Sequence, residues 1–505
     1  MAWNKELVHE AVERQRAYFQ TGVTLPLKFR KEMLLRLKES VLKHQADMEK
    51  ALHEDLGRSD GEAFLCDVGP VILEINEAIH GLRKWAKPER HYSGLLAFPS
   101  FTTRVYKIPY GVSLIISPFN FPFMLSLGVL TACIAAGNTA VMKASSKSKA
   151  CTACLEKIIA DAFPPEYCVV IDGGHDVADF CLEERFDKIF YTGSPKVGVH
   201  VMEMAAKNLT PVALELGGEN GNWAIVRKDA DIKDAARKIA FFKITNSGQI
   251  CINVNQVAVA KEVADRFVEE LKKEIVRQIG EKPLENPEYP HLIGSRAYQY
   301  CADEAKQYED RIVFGGKGDP ERYAFEPTLI YPVEETEPIA NHELFCPLLP
   351  IVPFEDARID ELLAKIEKRE HGLAAVVDIF DAAGLHRLQT GDGLQQLLLA
   401  AAGDARDAED LAGIGGEAHM VELERDFGQM GGVIILTVVG IADLTADHHE
   451  ADPLLGTGGV HLLAVEVADD LTVAQHGQVS ALLEDLIHIV GDKDDALVLI
   501  FELMD

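Results

Sequence analysis

Apolar residues recur at helical spacing over residues 27–58 and again over 61–87, so both stretches are predicted as amphipathic helices. Residues 88–108 are punctuated by Pro and Ser, and an extended arm is expected over 88–104. From residue 110 the pattern changes. "GVSLIIS", "TAVMKAS", "YCVVIDGG", "KIFYTG" and "PVALELGG" are short apolar runs bounded by Gly, Ser or Pro. Between them lie longer segments with three-to-four spacing: "FMLSLGVLTACIAAG", "KSKACTACLEKIIADAF", "DVADFCLEE" and "PKVGVHVMEMAAKN". Alternating strands and helices of this kind build βαβ units and a parallel sheet. The chain is therefore expected to form an α/β, Rossmann-like domain from residues 1–87 and 105–216. A nucleotide would bind such a sheet beyond the C-terminal ends of its strands. After "NWAIV" the alternation resumes with a helix over 231–247, the turn "NSGQIC", the strand "NQVAVA" and the helix "EVADRFVEELKKEIV". A second α/β domain over 217–375 is expected.

Composition narrows this picture. The 505 residues carry a net charge of −30, which repels nucleic acid and anionic membranes. The N-terminal "MAWNKELVHEAVERQR" is a charged helix with no apolar signal core. No window reaches the ~18 apolar residues of a spanning helix, so a cytoplasmic protein is expected. Nine cysteines, odd in number and irregular in spacing, argue against a disulfide framework. Cys151 and Cys154 form a CxxC on a predicted helix with no second pair, and read as buried structural thiols rather than metal ligands. Past about residue 375 the character breaks. Residues 376–505 hold 25 acidic against four basic side chains, one Ser (Ser480), no Tyr and no Asn. This acidic tail reads either as an appended domain or as the product of a shifted reading frame.

Six short motifs carry candidate chemistry. "YTGSPKVG" joins a strand to a helix. Gly193, Ser194 and Gly198 there suit a pyrophosphate at a helix N-terminus, although an ordinary tight βα turn would look the same. "VMKAS" ends a strand with Lys143, a cofactor contact or a solvated lysine. "LELGG" puts Glu215 in an apolar strand, where burial would raise its pKa toward that of a general base unless it is paired. "SPFNFPF" holds Asn120 as an oxyanion donor or a turn former. "NHELFCP" sets Glu343 and Phe345 near a proline turn and says little alone. "NSGQIC" surrounds Cys251 with small polar residues, the setting of a reactive thiolate rather than of a core thiol.

Taken in order, FNFP, MKAS, YTGSxxxG, LELGG, GQxC and ELFxP resemble the aldehyde dehydrogenase superfamily over about residues 30–375. "ALHEDLGRSDGEAFL" and "AAKNLTPVALELGG" look most like its class 3 branch, which oxidises medium- and long-chain aliphatic and aromatic aldehydes. The resemblance implies the aldehyde dehydrogenase fold, NAD or NADP as cofactor, and a homodimer bridged by the 88–104 arm. It implies Cys251 as nucleophile and Glu215 as general base, with an oxyanion hole formed by the Asn120 amide and the Cys251 N–H. It assigns Lys143 to the adenosine ribose and Gly193, Ser194 and Gly198 to the pyrophosphate. Glu343, Phe345 and Gly217 fall to the nicotinamide end. Three departures stand out. Ser146 replaces the acid that would bind the adenosine 2′-hydroxyl and repel a 2′-phosphate, so NADP is expected to be accepted at least as well as NAD. Cys346 stands where the family has glycine. The family's C-terminal loop has no counterpart in the tail. Two other functions stay open: a coenzyme A-acylating relative, and an inactive nucleotide-binding paralogue.

Overall fold

A computed structural model describes residues 3–92, 102–218, 220–367 and 375–378. The described residues divide into two compact units, Met1–Gly217 with Pro290–Ser295, and Gly218–Tyr289 with the described residues of 296–378.

In the first unit, the Asn4 side chain accepts the Leu7 N–H and starts the helix Lys5–Gln20. The periodic stretch 27–58 folds as two helices, Leu27–Lys43 and Gln45–Leu56. Gly57 closes the second one with a φ of 68°, a conformation that favours glycine. The 61–87 stretch is also divided: Asp60–Ala63 forms a helical turn, Phe64–Val68 a π-turn, and Gly69–Trp85 a helix. In the arm, β1 (Glu89–Tyr92) and β2 (Thr102–Val105) pair antiparallel with every residue exposed. Residues 93–101 lie outside the described residues.

Five strands follow: β3 (Val112–Ile116), β4 (Thr139–Lys143), β5 (Cys168–Ile171), β6 (Lys188–Gly193) and β7 (Val212–Leu216). They form one parallel sheet in the order β5-β4-β3-β6-β7. Val112, Leu114, Val141, Ile171 and Ile189 of the sheet share a core with Val8 and Val12 of the first helix. The chain steps outward from β3 to β5, then returns to lay β6 on the other side of β3. A doubly wound sheet binds its ligand at this point of reversal.

The second unit holds β8 (Trp223–Val226), β9 (Gln256–Ala260), β10 (Ile312–Phe314), the small pair β11 (Gly318–Asp319) and β12 (Ala324–Phe325), β13 (Thr328–Ile330), β14 (Leu348–Phe354) and β15 (Ala375–Asp378). Its main sheet runs β10-β13-β14-β9-β8-β15 and is parallel except for the β10 edge. The helices Ile232–Ile244 and Ala264–Ile279 bury Ala236, Ile239, Phe267 and Leu271 in its core. The helix expected over 231–247 stops at Ile244, because Asn246, Ser247 and Gly248 take φ values of 50°, 52° and 73°. β15 continues the sheet through Asp378, past the expected break at 376. The rest of the acidic tail, 379–505, lies outside the described residues. Among the described residues no helix is long and apolar enough to cross a membrane.

Candidate active site

In the first unit the candidate residues gather along the C-terminal edge of the parallel sheet. Asn120 follows β3, Lys143 ends β4, Gly193 ends β6, and Glu215 lies one residue before the end of β7. A parallel register with short βα turns brings them to one edge despite their separation in sequence.

Lys143 is 4% exposed, and its ammonium donates to the carbonyls of Ala144 at 2.6 Å and Gly173 at 2.7 Å. Burial lowers its pKa. An ammonium carries three donors, and these two bonds aim it at the sheet edge rather than into solvent. Ser146 is exposed in the turn that follows. Lys147 and Lys149 flank it, and no acid lies among residues 143–150.

Ser194 is the N-cap of the helix Pro195–Ala206 and makes no side-chain cap bond. Its carbonyl accepts the Gly198 N–H at 3.0 Å. A Cβ on Gly198 would stand 2.8 Å from Leu216 Cδ2, so the helix packs closely against the Leu216 side chain of β7. The helix start thus offers first-turn N–H groups and positive partial charge to an anion. Glu215 is half-buried on β7, and burial alone raises its carboxyl above the usual range. Gly217 ends the unit.

In the second unit an asparagine network shapes the Cys251 loop. Residues 246–248 form a buried left-handed turn, a costly conformation for Asn and Ser. Side-chain bonds sustain it: Asn246 Nδ2 donates to the Gln249 carbonyl at 3.0 Å, Gln249 Nε2 to the Asn246 carbonyl at 2.9 Å, and Asn253 Nδ2 to the Gly248 carbonyl at 2.7 Å. Asn222 Nδ2 donates to the carbonyls of Cys251 at 2.8 Å and Asn253 at 2.9 Å. Cys251 is partly exposed, as is Cys66, whereas the other seven cysteines, including Cys151 and Cys154, are buried. Burial pushes the Cys66 thiol up to about 12, with Glu62 adding to the shift, which leaves it inert at neutral pH.

The same network fastens the Glu343–Phe345 segment beside the Cys251 loop. Asn255 Nδ2 donates to the Leu344 carbonyl at 3.0 Å, and Asn255 Oδ1 accepts the Asn222 N–H at 2.7 Å. A Cβ on Gly248 would meet the Cys346 carbonyl oxygen at 2.5 Å. Glu343 is half-buried, its Oε1 has no hydrogen-bond partner, and burial pushes its carboxyl up to about 7. A carboxylate held this way is suited to a hydroxyl donor from a ligand. Phe345 is half-buried two residues on. Sequence reasoning missed Asn222 and Asn255; the signal available was a run of asparagines beside a cysteine, in segments that otherwise read as apolar strands.

A doubly wound parallel sheet with a helix start at the C-terminal end of β6 defines a Rossmann-like α/β protein. The chain belongs to the aldehyde dehydrogenase family, whose model matches residues 1–389. It is 35% identical to human aldehyde dehydrogenase family 3 member B1, over 72% of this chain and 76% of that protein. It is 34% identical to the dog "aldehyde dehydrogenase, dimeric NADP-preferring", over 73% of this chain and 80% of that one. The solved substrate-bound Staphylococcus aureus AldH superposes with a TM-score of 0.74 at 31% identity, covering 78% of this chain and 84% of that one. The class 3 resemblance is borne out, and the match reaches beyond residue 375.

Proposed function

We propose that the chain oxidises medium- to long-chain aliphatic or aromatic aldehydes to carboxylic acids, with NAD or NADP, through a thioester on Cys251. The observation that carries this reading is the nucleophile turn. Three successive left-handed residues and an asparagine network are spent on presenting one partly exposed thiol.

In this reading the Cys251 sulfur attacks the aldehyde carbon as thiolate, and the carbonyl electron pair moves to oxygen. The Asn120 side-chain amide and the Cys251 N–H donate to that oxygen. When bound, NAD or NADP supplies the hydride acceptor that converts the thiohemiacetal to a thioester. Glu215, its carboxyl raised by burial, takes a proton from water. The hydroxyl attacks the thioester carbon, the C–S bond breaks, and acid and thiolate are released. Lys143 and Glu343 would hold the two ribose hydroxyl sets and the Gly193–Gly198 turn the pyrophosphate. The partnerless Glu343 oxygen and the uncapped helix start fit that role. The lysines around Ser146 suit a 2′-phosphate, and we assign NADP at least equal use. The exposed β1–β2 pair is the segment we assign to bridging two copies.

The test uses the purified full chain with decanal and either cofactor, following absorbance of the reduced nicotinamide. Turnover without coenzyme A, lost in Cys251→Ala, supports the reading; activity that survives Cys251→Ala overturns it. A strong preference for NAD in kcat/KM overturns the cofactor assignment alone.

A further inference from the structure

We propose that Arg58 and Asp67 are positioning residues for the Asn120 amide. The inference rests on the reading of Asn120 as oxyanion donor.

The segment Ser117–Phe123 has two prolines and no regular structure, so its backbone groups need partners from elsewhere. A fully buried ion pair supplies several of them. The Arg58 guanidinium donates from one nitrogen to the Asn120 carbonyl and from another to the Asp67 carboxylate. Asp67 Oδ1 accepts the N–H of Phe123 at 3.0 Å and of Met124 at 2.7 Å. The guanidinium also lies over the Phe121 ring, 4.6 Å from its centroid. Both side chains of the pair are 0% exposed. The pair thus grips residues 120, 121, 123 and 124 from one rigid fork and leaves the Asn120 side chain as the element being aimed.

Stability is a poor reason to keep such a pair. Buried ion pairs can often be replaced by packed apolar side chains with no loss, because desolvation offsets the attraction. Directional anchoring is a better one. A guanidinium holds a carbonyl and a carboxylate in fixed relative geometry, which no apolar residue and no single ammonium can do. An oxyanion donor works only when held close to the productive position.

The test is a double-mutant cycle on the full chain between Arg58→Met and Asn120→Ala, with cofactor Kd, KM and kcat measured for each. Arg58→Met is expected to lower kcat about 10- to 100-fold, since misaiming one donor forfeits part of its effect. KM and cofactor Kd should stay within about threefold. In the Asn120→Ala background the same substitution is expected to cost less than about threefold, because groups acting through one another are not additive. Hydrogen exchange should rise at the Phe123 and Met124 amides while strands β4 to β6 stay protected. If Arg58→Met does not fold, Arg58→Lys carries the same cycle. If Asn120→Ala alone leaves kcat unchanged, the reading of Asn120 itself falls. If Asn120→Ala lowers kcat but the Arg58 substitution costs the same factor in both backgrounds, or nothing in either, that reading stands and the positioning proposal is overturned.

Discussion

Replacing Gly248 by Ala tests how tightly the turn before Cys251 is built. Residue 248 has a φ of +73°, and an added Cβ would stand 2.5 Å from the Cys346 oxygen and 2.8 Å from its carbon. Both are backbone atoms, and their segment is anchored on either side: the Leu344 carbonyl accepts from Asn255 Nδ2, and the Pro347 carbonyl accepts the Thr328 N–H at 2.9 Å. The left-handed conformation costs an alanine about 1–2 kcal/mol. Overpacking against a fixed neighbour adds about 1–3 kcal/mol. The loss should be roughly 2–5 kcal/mol in all. Gly22 is the control, with the same φ of +73° and only Leu25 Cδ1 near its Cβ position, at 3.6 Å. Gly22→Ala should show only the conformational cost. Stability is read from urea melts and turnover from reduced-nicotinamide absorbance. Turnover of Gly248→Ala should fall about 100-fold if Cys251 shifts by ~1 Å. If Gly248→Ala is no less stable than Gly22→Ala and turns over normally, the turn is not the constraint described here.

Three further outcomes are expected. Glu343 has a folded value of about 7 against an ordinary 4.5, so the folded chain binds this proton more tightly. Its contribution to stability is present below about pH 4.5 and lost as the pH rises to about 7, so Glu343→Gln should raise Tm at pH 8 and leave it unchanged at pH 4.5. Ser146→Glu should lower kcat/KM for NADP at least about tenfold while NAD is retained, through repulsion of the 2′-phosphate; equal effects on both cofactors would contradict the assignment. Because the family match runs to residue 389, sequencing the coding DNA around and past codon 389 should reveal a shifted frame, whereas an uninterrupted one assigns the acidic tail to an appended domain.

Much of the first unit was legible in the sequence, because the apolar runs of a largely buried parallel sheet and the helices between them leave strong periodic signals. β3 to β7 lie where those runs do. The end of the helix at Ile244 was not legible. Helical spacing continues into Asn246 and Ser247, and side-chain bonds made within the loop by Asn246, Gln249 and Asn253 hold those residues in the left-handed region. The short strands β10 and β13 are three residues each, too brief for a periodic pattern. At the site, chemistry-bearing residues inside motifs could be named. Their supports could not: Arg58 reads as a surface arginine between Gly57 and Ser59 until the fold buries it against Asp67 and Asn120. Lys143 and Glu343 read equally well as solvated residues, and their burial is a property of the packed edge and loop.

The central claim is a covalent acyl group on Cys251 that Glu215 helps to remove. The most direct measurement mixes Glu215→Gln with decanal and NADP, quenches the reaction within the first turnover, and maps adducts by peptide mass spectrometry. The account predicts about one reduced cofactor formed per chain and a decanoyl group on the peptide that carries Cys251, with rapid multiple turnover and no such build-up in the unaltered protein. Reduced cofactor formed with no acyl group on Cys251, or an acyl group on another cysteine such as Cys66, would contradict it.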